Sequence, residues 1–130
     1  SQADEHILRV EEIFINSNGI KASANFYIDN GDVEILEGSE LYDFANAERY
    51  PETEELRQEL IEEGIIFDNG EKKVFKKSYM VNAKTKSNSA LSSSAELILH
   101  GSRNGWEYWT NLEGKPLKQI KEIARIYNVG

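Results

Sequence analysis

Between Ile20 and Ile28 the residues Ile20, Ala22, Ala24, Phe26 and Ile28 alternate with Lys21, Ser23, Asn25 and Tyr27. A period of two sends one set to a buried face and the other toward solvent. Asn18-Gly19 and Asn30-Gly31 bracket the run, and both residue types tolerate the positive φ of two-residue hairpins. The pattern predicts an antiparallel meander of strands near 12–16, 20–28 and 33–37, interrupted by Gly38-Ser39.

Helical spacing follows. Leu56, Leu60 and Ile61 share a face behind Thr53, an expected N-cap with Glu54 and Glu55 beside it, and Gly64 fits a C′ position. The segments 65–67 (IIF) and 73–75 (KVF), separated by a DNG turn, predict a hairpin, with 78–81 extended after it. Ser93 and Glu96 have capping-box spacing, predicting a helix from about Ser94 to His100 that Gly101 closes. Asn104-Gly105 then predicts a turn into a strand, Trp106 to Thr110, and Glu113-Gly114 a second turn. Leu117, Ile120, Ile123, Ala124 and Tyr127 recur at helical spacing behind Pro116. Strands and helices fall in separate groups, which predicts an α+β fold: an antiparallel sheet of hairpins, two short helices and a C-terminal amphipathic helix. Residues 1–12 read as a lead-in or linker remnant, and 13–130 as one domain.

Composition changes this picture in one respect. The 130 residues carry a net charge of −8, which by itself opposes a polyanionic partner. Residues 1–63, however, hold four basic and 17 acidic side chains, a balance of −13, whereas 64–130 hold 11 basic and six acidic ones, a balance of +5. Lys72, Lys73, Lys76, Lys77, Lys84 and Lys86 crowd into fifteen residues. The two halves either attract each other or leave a basic surface for a partner. The absence of cysteine excludes disulfides and thiolate metal sites and fits a cytoplasmic setting. No apolar run has the length of a membrane span.

Catalytic patterns are sparse. His6 and His100 are the two histidines, far apart in sequence, and "DNGDVE" does not follow the EF-hand loop. No serine lies in a G-x-S-x-G elbow, and neither a Walker loop nor a dinucleotide fingerprint occurs. Asp29, Asp32, Glu34 and Glu37 are the remaining candidates for a carboxylate pair, as hairpin acids facing solvent. The reading is non-enzymatic, with no metal and no cofactor.

The segment 87–109 offers more. Ser92, Ser93 and Ser94 stand at the expected helix start, close behind Lys84 and Lys86. Helix-start amides, hydroxyls and lysines together suit a phosphate. Arg103 and Asn104 sit on the adjoining turn. Trp106 and Trp109, three apart, would face opposite sides of a strand, leaving one to stack on a base. The alternative is structural: the serines cap, the glycines turn and both tryptophans pack.

"SSSAELILHGSRNGWEYWTNLEGKPL" resembles the motif of the domain of unknown function 4357, with its serine- and alanine-rich helix start, a glycine, G-W-x-x-W and a closing x-G-x-x-L. "GIKASANFYIDNGDVEILEGSEL" resembles that family's first half and "LRQELIEEGII" its intervening helix, so the likeness covers about 13–118. At the helix start Glu96 replaces an expected alanine. Such domains are similar to RAMA domains of restriction and methylation systems and occur at the C-terminal end of GIY-YIG endonuclease-like proteins. The resemblance implies an accessory, non-catalytic module that brings a larger protein to DNA. The rival expectations are a protein-interaction or oligomerisation module and, behind it, a carboxylate-dependent hydrolase or nuclease.

Overall fold

In the computed structural model, residues 9–43, 47–84, 89–101 and 103–129 are described. Strand β1 (Val10–Ser17) pairs antiparallel with β2 (Ile20–Tyr27), and Asn18 and Gly19 both take positive φ between them. This is the two-residue turn expected from Asn-Gly. β1 begins at Val10, so the last part of the expected lead-in is strand, fastened by Arg9, whose guanidinium lies 2.6 Å from Asp29 Oδ1. Residues 1–8 of the expected lead-in, including His6, lie outside the described residues. β3 (Val33–Ile35) continues the meander but is shorter than expected. Strands β4 (Glu40–Leu41), β5 (Ile66–Asp68), β6 (Lys73–Phe75) and β7 (Tyr79–Val81) complete two antiparallel sheets, ordered β1-β2-β3-β7 and β4-β6-β5. The hairpin read from "IIF" and "KVF" is β5–β6.

The Gly38-Ser39 break joins the two sheets. Gly38 (φ 92) donates its amide to the Phe75 carbonyl, and Ser39 accepts from Phe75 N. Buried Ser39 accepts from Ser23 N and donates to Ser23 O, both at 3.0 Å, so one hydroxyl satisfies two backbone groups of β2.

Helix α1 (Pro51–Glu62) starts two residues before the expected cap, with Pro51 in the first turn, where a missing N–H costs nothing. It ends as its glycine predicts. Gly64 (φ 77) donates to Ile61 O and Ile65 to Leu60 O, the paired bonds of a Schellman motif. Helix α2 (Ser89–Leu99) lies at the centre of the molecule, burying Leu91, Ala95, Ile98 and Leu99 completely. Its first residue is Ser89, five before the expected start. The apolar face extends back through Ala90 and Leu91, and burial of these two outweighs the weak helix propensity of the serines.

The G-W-x-x-W segment is helical where a strand was expected. Asn104 caps α3 (Gly105–Tyr108) by accepting the Trp106 amide at 3.0 Å. Of the expected strand 106–110, Thr110 alone is strand-like, bridged to Phe14 and to Pro116. The expected C-terminal helix is divided. A 3-10 turn, Leu117–Gln119, is followed by Ile120 in extended conformation and then by α4 (Lys121–Ile126). Trp106, Phe26 and Tyr127 form an aromatic cluster with centroids 5.6–6.3 Å apart, and Tyr127 Oη donates to the Ile28 carbonyl. Among the described residues no helix is long and apolar enough to cross a membrane.

Candidate nucleic-acid interface

The final segment forms a groove. Leu117 is fully buried, and Ile123 and Ala124 nearly so, which anchors one side of the 3-10 turn and of α4. Lys118, Lys121 and Arg125, with Lys115 ahead of them, recur at steps of three, three and four and remain exposed. They line a groove of about 680 Å³ together with Gln119, Ala124, Asn128 and Val129. Among the described residues of this lining none carries an acidic side chain. One cation has a local partner, Lys118 Nζ lying 2.9 Å from Glu107 Oε1 on α3. Of the four, Lys121 and Arg125 share α4 at four-residue spacing, a like-charge pair that costs about a few tenths of a kcal/mol. A polyanion laid along the groove removes that repulsion and gains counterion release.

This site was not singled out by sequence, although its signal is present in the three- and four-residue spacing of Lys115, Lys118, Lys121 and Arg125. The denser run of lysines from Lys72 to Lys86 is disposed differently. Lys72 Nζ lies 2.8 Å from Glu40 Oε2, and that bond, with the Lys21 amide, holds the Glu40 carboxyl below its ordinary range. Lys73 sits half-buried between Asp43, at 2.7 Å, and Asp68, at 3.7 Å. Lys76 lies over the Phe67 ring at 4.8 Å. Lys77 and Lys84 are exposed, and the Lys84 amide donates to Ser89 Oγ at the start of α2. Lys86 lies outside the described residues. Thus the acidic and basic halves attract each other at Lys72 and Lys73.

The serines and tryptophans are placed differently from the helix start and strand expected of them. Because α2 begins at Ser89, Ser92, Ser93 and Ser94 lie within the helix and offer no helix-start amides. Ser92 Oγ accepts the Gly105 amide at 3.1 Å, and Ser93 is exposed. Ser94 is fully buried, donating to Leu91 O and accepting from Trp109 Nε1 at 3.0 Å. Trp109 is 0% exposed and Trp106 6%, so neither has a face open to a base. Asn104 is occupied as the cap of α3, and Arg103 packs its guanidinium 5.4 Å from the Tyr108 ring centroid. Ser94→Ala is expected to lower stability by about 1 kcal/mol, read by urea unfolding.

The hairpin acids also have structural partners. Asp29 binds Arg9, which holds its carboxyl below the ordinary range; Asp32 Oδ1 accepts the Ala83 amide; Glu34 Oε1 accepts from Tyr27 Oη at 2.8 Å. That last bond pushes the Tyr27 phenol up.

One charged residue that the sequence reading passed over is buried. Arg57, on α1, is 0% exposed. Its guanidinium donates to Leu97 O at 2.6 and 3.1 Å, to Ile98 O at 3.1 Å and to Asp43 Oδ1 at 3.2 Å. These carbonyls end α2, where a cation also meets the negative end of the helix dipole. Burial lowers the Arg57 pKa to about 10, so it stays charged at neutral pH. His100, expected to serve that helix end, is instead held in the left-handed region (φ 58), with Nε2 2.9 Å from Glu54 Oε2. Burial, with the nearby Arg57 charge, lowers its pKa.

No curated protein and no solved structure matches the chain. The model of the family described as Domain of unknown function (DUF4357) matches residues 13–121, most of the chain, running from β1 to the start of α4. It therefore takes in both halves of the likeness, the Gly-Ser link between sheets and the G-W-x-x-W turn packed on α2, and the chain belongs to the DUF4357 family.

Proposed function

We propose that this domain is a non-catalytic accessory module that binds nucleic acid, DNA foremost, through the basic groove of the 3-10 turn and α4. The observation that carries the reading is the lining itself: Lys115, Lys118, Lys121 and Arg125 share one groove whose described lining residues include no acid, in a chain of net charge −8. Such a local concentration of cations suits phosphates, and long-range steering is set by the local field more than by net charge. The likeness to RAMA-type modules and their association with GIY-YIG nuclease-like domains gives the setting: a cytoplasmic protein whose catalytic part lies in another domain or subunit. The non-catalytic character rests on the hairpin carboxylates, since Asp29, Asp32 and Glu34 already serve backbone and side-chain partners.

Fluorescence anisotropy of labelled DNA, titrated across salt, tests it. Four phosphate contacts predict a log–log salt slope of about −3 to −4. The quadruple variant K115Q/K118Q/K121Q/R125Q is expected to lose binding while keeping its fold, and K72Q/K73Q to keep both. Equal affinity in the quadruple variant would sink the groove as the interface. A second reading, contact with a protein, draws on the exposed acids Glu52, Glu55, Glu59 and Glu62, which form a stripe along α1. A mass that rises with concentration, without nucleic-acid binding, decides for it.

A further inference from the structure

Among the described residues lining the basic groove none is aromatic, but α3, which carries the exposed Tyr108, is joined to its wall. The Leu117 amide donates to the Trp109 carbonyl at 3.0 Å and Lys118 meets Glu107 at 2.9 Å, so the wall of the groove is pinned to α3. Between Glu107 and Trp109 lies Tyr108. The single turn of α3 sends Trp106 inward, and Trp109, which follows it, is buried as well; Tyr108 is left 38% exposed. The Arg103 guanidinium lies over its ring, 5.4 Å from the centroid.

We infer that Tyr108, on the helix joined to the wall of the basic groove, is a base-stacking residue and that the site takes an unpaired stretch of nucleic acid in preference to an intact duplex. This rests on the reading of the groove as a nucleic-acid interface and adds the class of ligand. A cationic track alone cannot tell a single strand from a duplex, because both present phosphates. An exposed aromatic ring does, since bases within a duplex are already stacked on their neighbours whereas a single strand offers free base faces. Arg103, lying over one face of the ring, adds a planar guanidinium on which a base can itself stack. The cleft beside Gly101 is of mixed charge, lined by Arg49 as well as Glu52 and Glu96, and does not extend the basic track.

The test compares a short labelled oligothymidylate with a duplex of equal length by anisotropy. Wild type is expected to bind the single strand more tightly. Tyr108→Ala is expected to weaken single-strand binding about tenfold with the salt slope unchanged, because no phosphate contact is removed. Tyr108→Phe, which keeps the ring, is expected to bind as wild type. The position is exposed, so all three proteins should melt alike. If Tyr108→Ala binds oligothymidylate undiminished, or the duplex binds as tightly as the single strand, while K118Q/K121Q/R125Q still loses affinity, the stacking inference is overturned and the groove stands. If neither probe binds wild type, the groove reading and this inference both fall.

Discussion

Gly105→Ala is expected to be the most damaging single substitution in the domain. A Cβ at Gly105 would lie 2.2 Å from the Leu91 carbonyl carbon, 2.3 Å from its oxygen and 2.6 Å from Ser92 N. These are backbone atoms in the first half of α2, so no side chain can swing aside, and either α3 or α2 must move. The same contact carries the Gly105 amide bond to Ser92 Oγ and the Trp109 Nε1 bond to the Leu91 carbonyl. Separation of the helices would break both and open the core around Trp109. Overpacking ordinarily costs about 1–3 kcal/mol; against rigid backbone the cost should lie at or above the top of that range. The expected result is a Tm lowered by roughly 10 °C or more, with loss of the tryptophan near-ultraviolet signal, or a protein that does not fold. Gly38→Ala is the control. Gly38 has φ +92 with nothing near its missing Cβ, so it should cost only the strain of the left-handed region, about 1–2 kcal/mol. Comparable melting temperatures for the two variants would show that α2 and α3 can part without consequence.

Arg57→Met should come next. The substitution keeps much of the volume and the apolar stem but removes every donor from the Leu97 carbonyl and one of two from the Ile98 carbonyl, which also accepts the Tyr42 amide. Buried hydrogen bonds from a charged donor contribute about 1.5–3 kcal/mol each, and an unpaired carbonyl at a buried helix end is penalised in addition. A loss of about 3–5 kcal/mol is expected, read as a shift in the urea midpoint at unchanged m-value. Arg57→Lys should recover part of it, since an ammonium retains the charge at the helix end but cannot span both carbonyls. A loss below about 1 kcal/mol would mean that water replaces the guanidinium there.

Gly105 and Arg57 also mark where sequence reasoning stopped. Asn104-Gly105 carries the signal of a hairpin turn, and locally that reading is sound. What makes it a helix cap is the close approach of Leu91, distant in sequence, which only Gly105 admits. Arg57 occupies a helix whose other polar residues face water. Its burial follows from where α2 ends, and no local pattern reports that. The serines illustrate the same limit. Their spacing from Glu96 fits a capping box, but burial of Ala90, Leu91 and Ser94 decides that the helix begins earlier.

The candidate interface was half legible. The excess of basic residues in the second half is plain in the sequence, and so is the spacing from Lys115 to Arg125. Which lysines remain available was settled by where the acids fall. Glu40 and Asp43 are brought beside Lys72 and Lys73 by the pairing of β4 with β6. Lys121 and Arg125 line their groove with no acid among its described residues.

By itself, then, the sequence determined what depends on near neighbours in the chain: the alternation of β2, the Asn18-Gly19 turn, the helix stop at Gly64 and the α+β grouping of elements. A period of two or of 3.6 reports which face of an element is buried, and turn dipeptides report where the backbone can take positive φ. Tertiary structure alone decided what the buried faces pack against. That contact fixed the burial of both tryptophans, the capping of α2 by Arg57 and the exposure of Tyr108. A polar or aromatic residue becomes core, cap or binding surface according to partners that arrive from elsewhere in the chain.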